Sequence, residues 1–257
     1  MAQALERENA QPAIRIRAIS QTYHDGRSTL QALDRVSLDV AEGEFVCLLG
    51  ASGCGKSTLL NLIAGLYHVT SGTLDVGGRR VALMFQEPAL FAWLTVAENV
   101  EMGMRFRGVA RQERQATARE LLRLVHLDAF GDRRPHELSG GMRQRVALAR
   151  ALSQQADVLL MDEPFGALDA MTRDILHDEL EAIWSRTGLT VLFVTHNVRE
   201  AVRLGDRVVL LSSRPGRVVA EFPIEIPRPR SADSVPVTEM AAAITNRLRE
   251  EVRRHGR

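Results

Sequence analysis

The stretch "LLGASGCGKSTLL", residues 48–60, decides how this chain is read. It leaves an apolar segment, passes three glycines and enters a sequence that favours helix. Lys56 at its centre is the only lysine in a 257-residue chain whose Lys and Arg residues number 33. Everywhere else a guanidinium serves; here an ammonium is needed. The stretch matches G-x-x-x-x-G-K-[ST], which supplies a chemical reason. Gly50, Gly53 and Gly55 let the backbone curl with its N–H groups inward, and the helix start adds a dipole that favours anions. A compact ammonium on a flexible stem fits between two phosphates, where a planar, forked guanidinium does not. Ser57 offers a hydroxyl to Mg²⁺. Ala51, Ser52, Cys54 and Thr58 complete the phosphate-binding loop.

Working outward, "EFVCLLG" (44–50), "ADVLLMDEP" (156–164) and "LTVLFVTH" (189–196) are continuous apolar runs of the kind buried parallel strands make. "AIRIRAIS" (13–20) and "RVSLDV" (35–40) alternate, as half-exposed antiparallel strands do. Helices are predicted from about Lys56 to Ala64, through much of 96–130, around 170–186, and as a polar terminal helix over 236–255. The arginine-rich stretch within 96–130 reads as a solvated helical face. The fold class is α/β, with a helical insert that gives the domain two lobes. Length suits one large lobed unit with a sizeable core. Net charge is +1 with 25% charged residues, which argues against a dedicated nucleic-acid binder. Two cysteines, Cys47 and Cys54, are too few and too close for a disulfide framework, and point to a reducing compartment. No secretory signal is expected at the start, and no apolar run approaches the roughly 20 residues of a bilayer span.

Two further motifs carry chemistry. In "VLLMDEP" a buried strand would place Asp162 and Glu163 at its carboxyl end, where ligands of open α/β sheets bind. Adjacent acids point to opposite sides, so Asp162 can hold Mg²⁺ while Glu163 polarises an attacking water. In "LSGGMRQRVALARAL", Ser139 reads as an N-cap, with Gly140 and Gly141 opening a helix and a second exposed anion site. Two phosphate sites for one nucleotide make sense in a head-to-tail dimer, where each chain's second site closes on its partner's nucleotide.

From about residue 13 to 225 the chain resembles the ATP-binding subunits of ABC transporters, and "LSGGMRQR" at 138–145 is the signature that sets that family apart. The resemblance implies an ABC-type P-loop NTPase with a RecA-like core, an N-terminal antiparallel β subdomain and a helical subdomain at approximately 88–155. Residues 1–12 would then be a flexible N-terminus and 226–257 a C-terminal extension. It also implies roles by position. Gln86 in "MFQEP" would touch Mg²⁺ and water and face a membrane subunit. Asp169 in "GALD" would lie at the dimer interface, His196 in "LFVTH" would contact the γ-phosphate, and Tyr23 would stack on adenine. Tyr23 can equally pack on its own strand.

"MFQEPALFAWLTVAENV" and "SSRPGRVVAEFPIEIPRPR" are similar to the nitrate, sulfonate and taurine importer branch, and riboflavin- or thiamine-precursor uptake systems have similar ATPases, which leaves the solute open. That likeness implies ATP and Mg²⁺ as ligands, permease subunits as partners, a substrate-binding protein acting indirectly, and no nucleic acid. It implies a peripheral place at the cytoplasmic face of the inner membrane. The apolar, aromatic "ALFAWLTV" after Gln86 reads as the groove for the permease or as ordinary packing of the helical lobe, and the two are compatible. Two rivals are a soluble ABC ATPase acting on ribosomes or DNA and a phosphate-loop kinase. The first usually carries paired cassettes or long coiled coils; the second leaves "LSGGM" unexplained.

Overall fold

The computed structural model describes residues 11–24, 26, 28–166 and 168–255; residues 1–10 of the expected flexible segment lie outside that set. In chain order the elements are β1 (Ile14–His24), β2 (Thr29–Val40), β3 (Phe45–Leu49), α1 (Lys56–Ile63), β4 (Ser71–Asp75), β5 (Val81–Met84), α2 (Val96–Phe106), α3 (Arg111–Leu124), α4 (Gly140–Leu152), β6 (Val158–Asp162), α5 (Ala170–Thr187), β7 (Thr190–Val194), α6 (Val198–Leu204), β8 (Arg207–Leu211), β9 (Val218–Pro223) and α7 (Val235–His255). They divide into two compact units: Met1–Arg79 with Gly188–Arg257, and Arg80–Thr187.

The first unit holds two sheets. β1 and β2 run antiparallel, with Ile14 opposite Val40, and β4 adds to the other side of β1. One face of β1 is dry: Ile14, Ile16 and Ile19 are fully buried while Arg15 and Arg17 face water. Ala18 and Arg35 have positive φ where the register shifts, so the strands bend as bulged strands do. The second sheet places β3 between β7 and β8, both parallel to it, with β9 antiparallel at the edge. All five residues of β3 and of β7 are buried, which is why these strands read as unbroken apolar runs. Each buried Leu, Val or Phe there contributes about 1.5–3 kcal/mol.

Helix α7 is less polar in its setting than its sequence suggests. Val237, Ala241, Ile244 and Glu251 are buried, and the helix packs on α6. The chain ahead of it is pinned as well. Buried Arg230 donates to the carbonyls of Val202 (2.9 Å), Gly205 (2.5 Å), Ile224 (3.0 Å) and Ile226 (2.7 Å). Two of those acceptors close the C-terminal end of α6, where a cation suits the helix dipole.

In the second unit β5 and β6 pair in parallel, Val81 opposite Val158, and α2, α3 and α4 pack on one another. The helical stretch expected over 96–130 is broken in two. Gly108, at φ 77°, donates to Arg105 O (3.1 Å) and Val109 N–H to Met104 O (3.1 Å). That left-handed closure ends α2. Its start is equally well defined: Glu98 N–H donates to Thr95 Oγ1 (3.2 Å) and Thr95 N–H to Glu98 Oε2 (2.8 Å).

Candidate functional site

The first unit carries Tyr23, the loop 50–58 and His196. β3 delivers the loop, and α1 begins at Lys56 itself. Gly53 and Gly55 have φ of 74° and 99°, conformations that L side chains rarely adopt. Glycine is needed at Gly55 for space too: a Cβ there would lie 2.7 Å from Leu33 Cδ2 and 2.8 Å from Ala32 O. The Lys56 ammonium is buried and donates to the carbonyls of Gly50 (2.9 Å) and Ala51 (3.1 Å). The loop's own backbone thus fixes where the charge sits. Cys54 is buried within the loop, and burial raises its thiol pKa against the opposing pull of Lys56. Ser57, beside Lys56 in the first turn of α1, is exposed.

A brace on this loop was not legible beforehand. Arg214 Nε donates to Gly53 O (3.1 Å). Gly216 exchanges backbone hydrogen bonds with β2, its N–H to Ala32 O (2.9 Å) and Asp34 N–H to its carbonyl (3.0 Å). A Cβ on Gly216 would fall 2.1 Å from Cys54 O. The "SSRPGR" segment, read from sequence only as a family likeness, ties the loop at Gly53 and packs between it and β2.

His196 follows β7 at the surface, between two anchored neighbours. The Thr195 hydroxyl donates to the buried Glu200 carboxylate and accepts from Asn197 N–H (2.9 Å). Asn197 Oδ1 in turn accepts from Arg199 N–H (3.1 Å) and Glu200 N–H (3.3 Å), capping α6. Tyr23 is half-buried, its ring edge-on to Tyr67 with centroids 6.3 Å apart.

The second unit carries Gln86, Ser139 to Gly141, Asp162, Glu163 and Asp169. Gln86 lies in an exposed loop whose backbone is held by α4: Gln144 Nε2 donates to Gln86 O (2.8 Å), and Arg150 to the carbonyls of Pro88 and Ala89, both at 2.7 Å. Ser139 caps α4 as expected, accepting from Met142 N–H at 3.2 Å. The signature helix therefore also positions the glutamine loop. β6 is buried as far as Met161, and Asp162 ends it. Glu163 has φ 43°, a strained backbone for a glutamate and of the kind kept where a side chain must be aimed. Asp169 accepts from Thr172 N–H at 3.0 Å, and that bond holds its carboxyl below the usual range. Arg173 steadies the same segment through Leu168 O at 2.6 Å.

Residues 33–166 match the family model for ABC transporters. The chain belongs to the ABC transporter family. It is 50% identical over 233 residues to the taurine import ATP-binding protein TauB of Rhizobium johnstonii, covering 88% of each chain. It is 47% identical over 221 residues to the nitrate import ATP-binding protein NrtD of a Synechocystis, covering 83% of each. Among solved structures it is similar to the ATP-binding cassette MJ0796 in a dimeric post-hydrolysis state bound to ADP and Pi. There the TM-score is 0.75 at 33% identity, covering 83% of this chain and 99% of that one. This ABC protein is an ATP-binding, ATP-hydrolysing subunit with an α/β cassette fold. No helix among the described residues is long and apolar enough to cross a membrane.

Proposed function

We propose that this ABC ATPase drives uptake of a small oxidised-sulfur or oxidised-nitrogen solute, of the taurine, sulfonate or nitrate class, through a separate transmembrane permease. The observation that carries this reading is 47–50% identity across 83–88% of the chain to subunits named for taurine and nitrate import. The subunit would bind peripherally at the cytoplasmic face of the plasma membrane. A solute-binding protein would deliver cargo to the permease, and nucleic acid would play no part.

Two copies act head to tail in this reading. Lys56 and the amides of residues 50–58 hold the β- and γ-phosphates, with Tyr23 against the adenine. Ser139, Gly140 and Gly141 of the second copy cover the γ-phosphate, and Asp169 contributes at the same interface. Ser57, Gln86 and Asp162 are hard oxygen donors of the kind Mg²⁺ takes, few enough to leave it its waters and phosphate oxygens, and the ion would offset phosphate charge. Glu163 orients water and accepts its proton as it attacks the γ-phosphorus. His196 donates to the γ-phosphate and reports its loss. Such chemistry asks the protein for positioning and electrostatics more than for a covalent nucleophile.

The test is reconstitution with the permease in liposomes. Solute-loaded binding protein should stimulate ATP hydrolysis, and Glu163→Gln should cut turnover by about 10²–10⁴-fold while MgATP affinity holds. Near-normal turnover in that variant removes the base assignment. Stimulation by none of taurine, alkanesulfonates or nitrate removes the solute class.

A further inference from the structure

We propose that the groove between residues 196–199 and α7 binds a small organic anion, a short-chain sulfonate or carboxylate, and that its occupancy restrains His196. The groove has a volume of about 560 Å³ and lies wholly within the first unit. That is enough for a small organic solute and far more than one inorganic ion fills.

Its two walls differ. One is the His196 turn and the first residues of α6. The other is a single stripe of α7, in which Thr238, Ala241, Thr245 and Arg249 recur at helical spacing. The alanine side chain at Ala241 leaves the hollow open where a longer residue would close it. Buried Val237 and Ile244 on the same helix hold that wall against its own unit.

The lining selects for negative charge. Arg199 and Arg249 both face the groove, and no acidic residue lines it. Arg199 has one weak partner, Asp233 at 3.6 Å with both side chains exposed, an arrangement that costs little to exchange. Arg249 makes no hydrogen bond or ion pair among the described residues, and neither does the side-chain amide of Asn246. Glu250 and Glu251, which follow Arg249 in the chain, both pair with Arg247. The Arg249 guanidinium and the Asn246 amide therefore line the groove with donors uncommitted, and Arg199 has only its exposed contact with Asp233 to exchange. Between them, Val198, Ala241 and the arginine stems offer apolar surface for a short aliphatic body. A charged head with a small apolar tail satisfies both halves.

Occupancy would be felt at His196 because the turn around it does not yield. Thr195, Asn197 and Glu200 fix the backbone on both sides, so an anion beside Arg199 acts on the imidazole rather than on the chain. A restrained His196 meets the γ-phosphate less often, and hydrolysis slows. This regulatory half rests on the role proposed above for His196; the binding half does not.

The full-length protein, saturated with MgATP so that the phosphate loop is occupied, is titrated with ethanesulfonate and, separately, with the neutral ethanesulfonamide. Calorimetry should give ethanesulfonate a Kd of about 1 mM or tighter and show no saturable heat with the amide. Arg249→Ala and Asn246→Ala should each weaken binding roughly tenfold while ATPase without anion stays at the parent rate. Equal binding of the neutral compound, binding unaffected by both substitutions, or no heat up to ~10 mM ethanesulfonate overturns the site. Binding that leaves ATPase unchanged overturns the coupling to His196. Protein that binds ethanesulfonate at Arg249 yet neither hydrolyses ATP nor supports uptake would sink the proposed function and leave this site standing.

Discussion

Two glycine-rich turns open helices in this ABC ATPase, one in each unit: residues 50–55 before α1, and Gly140–Gly141 at the start of α4. In the first, the fold itself demands glycine. Gly53 and Gly55 have left-handed φ, and a Cβ on Gly50 would come within 2.7 Å of Cys54 Sγ. In the second, the demand is partial. Gly141 would bring a Cβ to 3.0 Å from Thr172 Cγ2, but a Cβ on Gly140 would meet nothing closer than Arg143 at 4.0 Å. Neither has a left-handed φ. One turn is shaped by its own chain. The other keeps a bare backbone at an exposed position where its own chain asks for none, as a surface does when its counterpart lies on another molecule.

The largest effect should come from Gly55→Ala. A left-handed φ costs an L residue about 1–2 kcal/mol, and crowding Leu33 and Ala32 adds about 1–3 kcal/mol. Urea unfolding should show a loss of roughly 2–5 kcal/mol from a total that seldom exceeds about 15. An unchanged midpoint with unchanged slope would mean that this loop tolerates a side chain and that the contrast with the α4 turn is wrong.

Lys56→Arg sharpens the same comparison at constant charge. The ammonium sits buried between two carbonyls of its own loop, and a wider, planar fork cannot occupy that point. Losing one charge-assisted contact costs about 1.5–3 kcal/mol, so MgATP affinity should fall roughly 10- to 150-fold by equilibrium titration. Full affinity in this variant would show that charge alone is read, and that the chain's single lysine has no stereochemical cause.

How far such features can be read from sequence depends on whether a residue acts through its own chemistry or through another residue's backbone. β3, β6 and β7 announced themselves because burial on both faces forces unbroken apolar runs. Lys56, Ser57, Asp162 and Glu163 stood out because the chemistry proposed for each belongs to its own side chain. β4 did not, since "SGTLD" is largely exposed and shows no alternation. Nor did Arg214, Gly216, Gln144 or Arg150, which all act on main-chain atoms of distant loops. Every residue offers a carbonyl, so nothing in the text of a sequence marks which ones will be seized. The break at Gly108 was visible in principle: a glycine between two helical patterns is a stop signal, overridden here by the pull of a long amphipathic stretch.

The smallest change tests the more consequential half of the comparison. Gly140 is the first residue of α4, with open space around it. Alanine is the better helix former, so Gly140→Ala should leave stability unchanged or raise it by up to about 1 kcal/mol. If a second copy closes over this backbone, the added methyl group lies between the α4 amides and the partner's γ-phosphate, and ATPase should fall while monomer affinity for MgATP holds. Chemical unfolding and turnover measured on one preparation separate the possibilities. A variant that is less stable would mean the glycine serves its own chain after all. One that is equally stable and fully active would mean that nothing approaches this turn closely enough to be obstructed, and the head-to-tail closure would lose its clearest structural support.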